Sequence, residues 1–286
     1  MPVQLSKEDS DRLGRARGLP ADALGLGLRT VHYAHILEHT PAVDYFEAIS
    51  ENYLGSALTP RQKLDRIRSR YPVVLHGVGL NLLGHAPLDE TYLDALCRLA
   101  DDLDAPFVTD HLCWTGAHDV GHHDLLPTPY THDLLEFAAE RAQYVQRRLG
   151  RPFGLENLSS YVAFKSSTMS EQEFYSSVVR EAGCWSMLDI NNIFVSSQNH
   201  GFDPDGYLAA IDFSRVLQVH LAGHAREPNG TIVDTHDQPV AEAVWALYAR
   251  AWKIGGPFPT LLEWDAHIPE LPAALAELTK AKEART

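Results

Sequence analysis

A chain of 286 residues with 45% hydrophobic content is long enough to bury one large α/β core, and βα barrels typically run to about 250 residues. Its formal net charge of −14 counts against a nucleic-acid partner, which selects a basic surface. No apolar run reaches the roughly 20 residues that span a bilayer, the charged N-terminus lacks a signal-peptide core, and three scattered cysteines offer neither a disulfide framework nor a zinc ribbon. The expectation is a cytoplasmic protein with no membrane and no nucleic acid among its partners.

Apolar runs of strand length alternate with amphipathic stretches along the chain. LGLGLR ends at Arg29 and precedes VHYAHILEHT; YFEAIS leads to Glu51-Asn52 and precedes TPRQKLDRIRSR, with Thr59-Pro60 as cap and first turn. VVLH ends at His76 before LDETYLDALCRLADDL, and FVTDH ends at Asp110-His111 before YTHDLLEFAAERAQYVQRRLG, which stops at Gly150. FGLEN ends at Glu156-Asn157; the helix MSEQEFYSSVVREAG then opens with Ser170 and Glu173 at capping-box spacing. MLDINN carries Asp189 and Asn192 and precedes DPDGYLAAI. VLQVHLAGH carries His220 and His224 before QPVAEAVWALYARAWK, and TLLEWD carries Glu263 and Asp265 before IPELPAALAELTKAKEA. Eight βα units favour closure into a single (β/α)8 TIM barrel over residues 1–286, with 1–20 as an N-terminal extension. Two long inserts, CWTGAHDVGHHDLLPTPY after the fourth strand and AGHAREPNGTIVDTHD after the seventh, fall on the side where such barrels keep their chemistry.

The polar residues that end these runs are the candidates. Glu156 and Glu263 end strands that are otherwise apolar, where a carboxylate without a partner is costly. His76 and His220 end apolar runs in the same way. Asp189 and Asn192 make a D-x-x-N pair, and Asp234-Thr235-His236 makes a D-x-H pair whose two side chains can reach one ion. Any one of these, alone, is more often a hydrogen-bonded structural residue. Jointly they weigh more, because five carboxylates (Asp110, Glu156, Asp189, Asp234, Glu263) at one mouth repel one another unless cations neutralise them. The nine donors His76, Asp110, Glu156, Asp189, Asn192, His220, Asp234, His236 and Glu263 exceed what one ion takes, so two or three ions with a bridging carboxylate are expected. Nitrogen and oxygen donors suit iron, manganese or zinc equally by type. His111 and His224 are the candidates for catalytic proton transfer or for orienting ligands, against an ordinary structural hydrogen bond for each. Glu51 and Asn52 are placed at the rim, Trp114, Tyr130 and Tyr161 are candidate peptide contacts, His122-His123 is expected in solvent, and Cys113 is expected to be a small core residue.

The order of these donors resembles the trinuclear barrel of endonuclease IV, with D-x-x-N where that family has D-x-x-H. Longer motifs, among them FEAISENYLG, FVTDHLCWTG, GLENLSSYV, LDINNIFVSSQNHGFDP, DTHDQPV and TLLEWDAHIPEL, resemble the DUF692 family across almost the whole chain. That family comprises multinuclear non-heme iron-dependent oxidative enzymes, including the iron-dependent subunit of methanobactin biosynthesis. The resemblance implies a xylose isomerase/endonuclease IV-like barrel holding two or three irons, mixed Fe(II) and Fe(III), with O2 as co-substrate. It further implies a cysteine-containing precursor peptide as substrate, hydrogen removal from the cysteine β-carbon, and a small leader-recognition partner protein. Leu82-Leu83-Gly84-His85 departs from the smaller polar segment expected there, which touches the pocket lining and not the metal donors. The alternatives on the same barrel are a zinc phosphodiesterase and a sugar isomerase, for which Lys165 is the one lysine near a strand end; a metal-storage protein leaves an open cluster unexplained.

Overall fold

All eight expected strands form, lie parallel to their neighbours in chain order, and the last pairs with the first to close a barrel. The computed structural model describes residues 18–55, 58–117 and 120–286, without the side chains of 58, 117 and 120–124. Residues 1–17 of the expected extension and the side chains of His122 and His123 therefore lie outside the described residues. The barrel strands are β1 (Leu24–Gly27), β2 (Tyr45–Ile49), β3 (Val73–Gly77), β4 (Val108–His111), β5 (Phe153–Glu156), β6 (Trp185–Asp189), β7 (Val216–Leu221) and β8 (Thr260–Leu262). The helices are α1 (Tyr33–His39), α2 (Leu58–Arg68), α3 (Glu90–Asp102), α4 (His132–Leu149), α5 (Glu171–Ala182), α6 (Ile190–His200), α7 (Pro204–Ala210), α8 (Glu242–Gly255) and α9 (Leu271–Ala284).

Helix starts follow the polar residues that precede them. Asp89 accepts from the Thr91 and Tyr92 amides, Thr131 from Leu134, and Asp203 from Asp205, which satisfies amides that no helical carbonyl can reach. Gly150 ends α4 at φ +61°, a conformation that costs a Cβ-bearing residue more. On α4, Leu135, Ala138, Ala142, Val145 and Leu149 recur at helical spacing and form its buried stripe. The second helix begins at Leu58, one residue ahead of the expected Thr59 cap.

Two apolar layers hold the strands. The larger lies between strands and helices, and a smaller cluster of Leu19, Ala23, Tyr45, Val74, Phe107, Leu217 and Leu261 gathers at the N-terminal ends of the strands. Gly25 makes room for that inner layer: a Cβ there would sit 2.3 Å from the Tyr45 ring. With one end filled by apolar side chains, the buried polar residues collect at the other. There the insert after β4 folds as a hairpin (Trp114–Ala117 with Val120–Leu126), and the insert after β7 as a short ladder (Ala225–Arg226 with Ile232–Val233).

One element differs from the expectation. Directly after β6 the chain enters α6, so Asn192 stands on the first turn of a helix rather than on a strand. Asp189 caps that helix, its Oδ1 accepting from the Asn192 amide at 2.6 Å. The D-x-x-N spacing is thus an N-cap and its N3 residue, which brings both side chains to the strand end.

Candidate metal centre

The pleat of a strand sends alternate side chains to opposite faces, so Thr109 and His111 face the barrel interior while Asp110 faces away. His76 and His111 are both anchored through Nδ1, to Thr109 Oγ1 at 2.8 Å and to the Gly77 carbonyl at 3.0 Å. A carbonyl can only accept, so His111 carries a proton on Nδ1 and turns Nε2 toward the centre. Both Nε2 atoms converge on Glu156 Oε2, at 3.2 Å from His76 and 2.9 Å from His111. Imidazoles held at one nitrogen and pointed with the other is the arrangement found around bound metals.

A second convergence lies across the barrel. His220 sits between two carboxylates, with Nδ1 3.1 Å from Glu263 Oε2 and Nε2 3.1 Å from Glu47 Oε2. His236 places Nδ1 3.4 Å from the same Glu263 oxygen and Nε2 2.7 Å from Asp234 Oδ1. Its backbone is in the left-handed region at φ +48°, a local strain that the surrounding hydrogen bonds, His236 N–H to Gly223 O and Asp265 N–H to His236 O, hold in place. Four groups of ligand atoms within 4.8 Å result: His76-His111-Glu156, Glu156-Asp189-His220, Asp189-His236-Glu263 and Glu47-His220-Glu263. Glu156, Asp189, His220 and Glu263 each belong to two of them, which is the sharing a multinuclear centre needs.

The orphaned atoms point to the same conclusion. Glu156 Oε2, Asp189 Oδ2, Asn192 Oδ1 and His236 Nε2 are buried without an aligned hydrogen-bond partner. Buried polar atoms are almost always satisfied, and four without an aligned partner at the same end of the barrel are atoms that a shared cation could satisfy. The orientation of Asn192 is fixed by its neighbours: Nδ2 donates to Asn157 O at 3.0 Å and Glu156 Oε1 at 3.3 Å, so the carbonyl oxygen is the atom left over. A cavity of about 210 Å3 opens over the group, lined by His76, His111, Glu156, Asn192, His236 and Glu263, with Ile49, Val78, Leu125 and Leu158 as its apolar part.

Without cations the carboxylates must share protons. Burial, the Glu156 charge and the Asp234 charge push Asp189 well above the usual carboxylate range, although His236 and His220 oppose them. Burial also disfavours charge on His111, yet Glu156, with smaller help from Asp110, holds it up to about 9. His220 and His236 are likewise raised by their carboxylates against burial. Residues that hold extra protons in this way are poised to exchange them for metal.

The structure gathers His76, Glu156, Asp189, Asn192, His220, Asp234, His236 and Glu263 as expected, and adds two residues to them. His111 stands among the ligand atoms. Glu47 was not singled out from the sequence, although a lone carboxylate inside the apolar run YFEAIS was the available signal. Asp110 turns instead to the His111 amide at 2.7 Å and the Leu80 amide at 3.3 Å, and burial with the nearby Glu51 charge raises it to about 7. His224 donates from Nδ1 to Asn191 Oδ1 at 2.7 Å, and Asn191 Nδ2 donates to Asp234 at 2.6 Å, so His224 reaches the centre through Asn191. Glu51 accepts from the Val78 amide at 2.9 Å and from the Tyr92 hydroxyl. The three aromatics part company. Trp114 lines an apolar cavity with Leu83, Gly84 and His85, Tyr130 lines a separate one, and the hydroxyl of exposed Tyr161 accepts from the Asp234 amide at 2.9 Å. Cys113 is fully buried and outside the ligand groups, and Lys165 is exposed.

Comparisons with known proteins show the family and the fold. A family model described as "RiPP precursor modification enzyme MbnB/TglH/ChrH" matches residues 23–286. A UPF0276 protein of Acaryochloris marina is 45% identical over 257 residues, covering 90% of this chain and 92% of its own length. A UPF0276 protein of Caulobacter vibrioides is 46% identical over 264 residues, covering 92% and 94%. Among solved structures, a D-tagatose 3-epimerase-like protein aligns with a TM-score of 0.60 at 16% identity over 92% of this chain and 97% of its own. Endonuclease IV from Thermus thermophilus aligns with a TM-score of 0.56 at 18% identity over 92% and 98%. At such identities the structural likeness carries the barrel fold and nothing about activity.

Proposed function

The chain belongs to the MbnB/TglH/ChrH family of RiPP precursor modification enzymes, and from that premise we propose that it oxidises cysteine in a ribosomally made precursor peptide with iron and O2. The observation that carries the metal part is the set of four orphaned atoms on Glu156, Asp189, Asn192 and His236, within ligand groups that share carboxylates. The donor set is nitrogen and oxygen without thiolate, which accommodates ferrous and ferric iron. His76, His111 and Glu156 would hold one ion, and Asp189, His236 and Glu263 another, with Asp234 beside His236. Glu156, Asp189, His220 and Asn192 lie between them and would complete a third site.

Iron supplies the redox chemistry with O2; the chain's own residues bind, orient and shield. Thr109 and Gly77 fix the two imidazoles at their Nδ1 atoms, so that only Nε2 faces the centre. Asn191 passes the hold of His224 to Asp234. Ile49, Val78, Leu125 and Leu158 give the cavity a dry wall, which keeps bulk water from a reactive centre. A pocket of about 210 Å3 admits a side chain and not a folded peptide, so the peptide reaches in with one residue while its remainder lies on the hairpin and ladder inserts. A small protein that holds the peptide's leader is the partner that belongs to the same proposal.

Anaerobic loading with ferrous iron, metal analysis, and mass spectrometry of a cysteine-containing precursor after exposure to O2 test the reading. Two to three irons per chain and loss of hydrogen from the cysteine are expected. Protein that holds only zinc and cleaves a phosphodiester would overturn it.

A further inference from the structure

The segment that follows Glu156 lines two cavities. Leu158 and Ser159 face the metal pocket, whereas Ser160, Val162 and Phe164 line a second cavity of about 250 Å3 together with Tyr130, Met169 and Glu171. Its walls are apolar and aromatic, and Val162 and Phe164 are among the few large hydrophobic side chains that stay exposed. Glu171 is the one carboxylate in this lining.

Nothing in the helix requires Glu171 there. The start of α5 is already capped by Ser170 and Glu173, whose Oε2 accepts from the Ser170 amide at 2.9 Å. The Glu171 oxygens have only two long contacts, from Tyr207 Oη at 3.2 Å and Ser160 Oγ at 3.5 Å, and no Lys or Arg pairs with it among the described residues. Burial raises this carboxyl to about 7 despite those two donors. The imidazole in this lining, His200, is occupied with Ser160, its Nε2 lying 2.9 Å from Oγ and 3.0 Å from the carbonyl oxygen. A carboxylate at the side of an apolar, aromatic cavity matches a group with a hydrocarbon shaft and a cationic end.

We propose that this cavity binds a basic side chain, arginine or lysine, of the peptide whose cysteine enters the metal pocket, with Glu171 as its counter-charge. The peptide half of the statement rests on the function proposed above. Because one short segment lines both cavities, the basic residue and the cysteine lie close together on the peptide. The net charge of −14 draws a basic peptide toward the protein before any contact forms.

Binding of Nα-acetyl-arginine methylamide and of its uncharged citrulline counterpart to the iron-free full chain, followed by NMR at about pH 8, is the test. The arginine probe should bind about tenfold more tightly than the citrulline one, and Glu171→Gln should abolish that difference. Equal binding of the two probes to the unaltered protein, or a difference that survives in Glu171→Gln, overturns the assignment. Oxidation of a cysteine peptide is scored separately. Lost charge discrimination with intact oxidation sinks the cavity alone, whereas intact discrimination without oxidation keeps the cavity and sinks the function.

Discussion

Arg29, just beyond β1, holds one oxygen of Glu263, just beyond β8: Nη2 lies 3.3 Å from Oε1, leaving Oε2 to His220 and His236. The same guanidinium binds Asp265 and donates from Nε to the Trp264 carbonyl at 2.8 Å, so it fixes the Glu263–Asp265 segment at three points. Arg29→Ala leaves Glu263 with a buried, uncompensated oxygen, at a cost on the order of 3 kcal/mol. A lower melting temperature and loss of about one metal per chain are expected. Arg29→Lys should recover part of the stability and less of the metal, since an ammonium cannot span the three contacts. Calorimetry and metal analysis on the two variants decide this.

Glu156→Ala and Asp189→Ala should each lower metal content by more than one equivalent, because each residue belongs to two ligand groups. Glu181→Ala, on an exposed part of α5, should leave metal unchanged. Glu171 on the same helix is unsuitable as that control because its carboxyl is held away from water. Equal metal content in the Glu156, Asp189 and Glu181 variants would show that the shared carboxylates are not ligands.

The strand ends, and with them most of the candidate centre, were legible in the sequence because parallel strands buried on both faces read as apolar runs, and a polar residue at their end stands out. Three features were not. The buried face of α6 carries Asn191, Asn192, Ser196 and Ser197, so INNIFVSSQNH shows no clean apolar stripe and hides a helix. Asp110 and His111 are adjacent, and strand alternation allows only one of them to face the interior; the carboxylate was the expected donor, and the imidazole is the side chain that faces inward. Glu47 shares the logic of Glu156 but lies within its strand rather than at the end, where a polar residue stands out.

The buried carboxyl of Glu171 sets a pH dependence. Its folded-state pKa is raised from 4.5 to about 7, so the proton is held more tightly when folded. The protonated group's stabilisation is complete below the unfolded value and is lost as pH rises through about 7. Glu171→Gln, which keeps the shape without the charge, should match the unaltered protein near pH 4.5 and exceed it above pH 7 by roughly 1–3 kcal/mol. Denaturant unfolding at the two pH values measures the difference, and an identical profile for both proteins would remove the basis for a buried charge.

Leu125, from the hairpin, is part of the apolar lining of the metal cavity and is not itself a member of a ligand group. Leu125→Glu brings a charge and water into that wall. Turnover of the peptide should fall roughly tenfold or more while metal content and melting temperature stay near the original. A matched fall in metal would place the hairpin in the support of the centre instead.

Asn192 is the departure from the D-x-x-H pattern, and its geometry gives the difference a consequence. Its amide nitrogen is committed to Asn157 O and Glu156 Oε1, which leaves a neutral carbonyl oxygen as the only atom it can offer a cation. A carbonyl is a weaker donor than an imidazole, so an ion held here exchanges a ligand more readily, as a centre that must admit substrate requires. Asn192→Ala should lose occupancy chiefly at one ion and also free Glu156 Oε1. Asn192→His offers the stronger donor but gives up both amide hydrogen bonds; it should keep metal and lose oxidation. Metal analysis with single-turnover assays on a cysteine peptide separates the two variants. Oxidation by Asn192→His at the unaltered rate would mean that the amide has no special part in the chemistry.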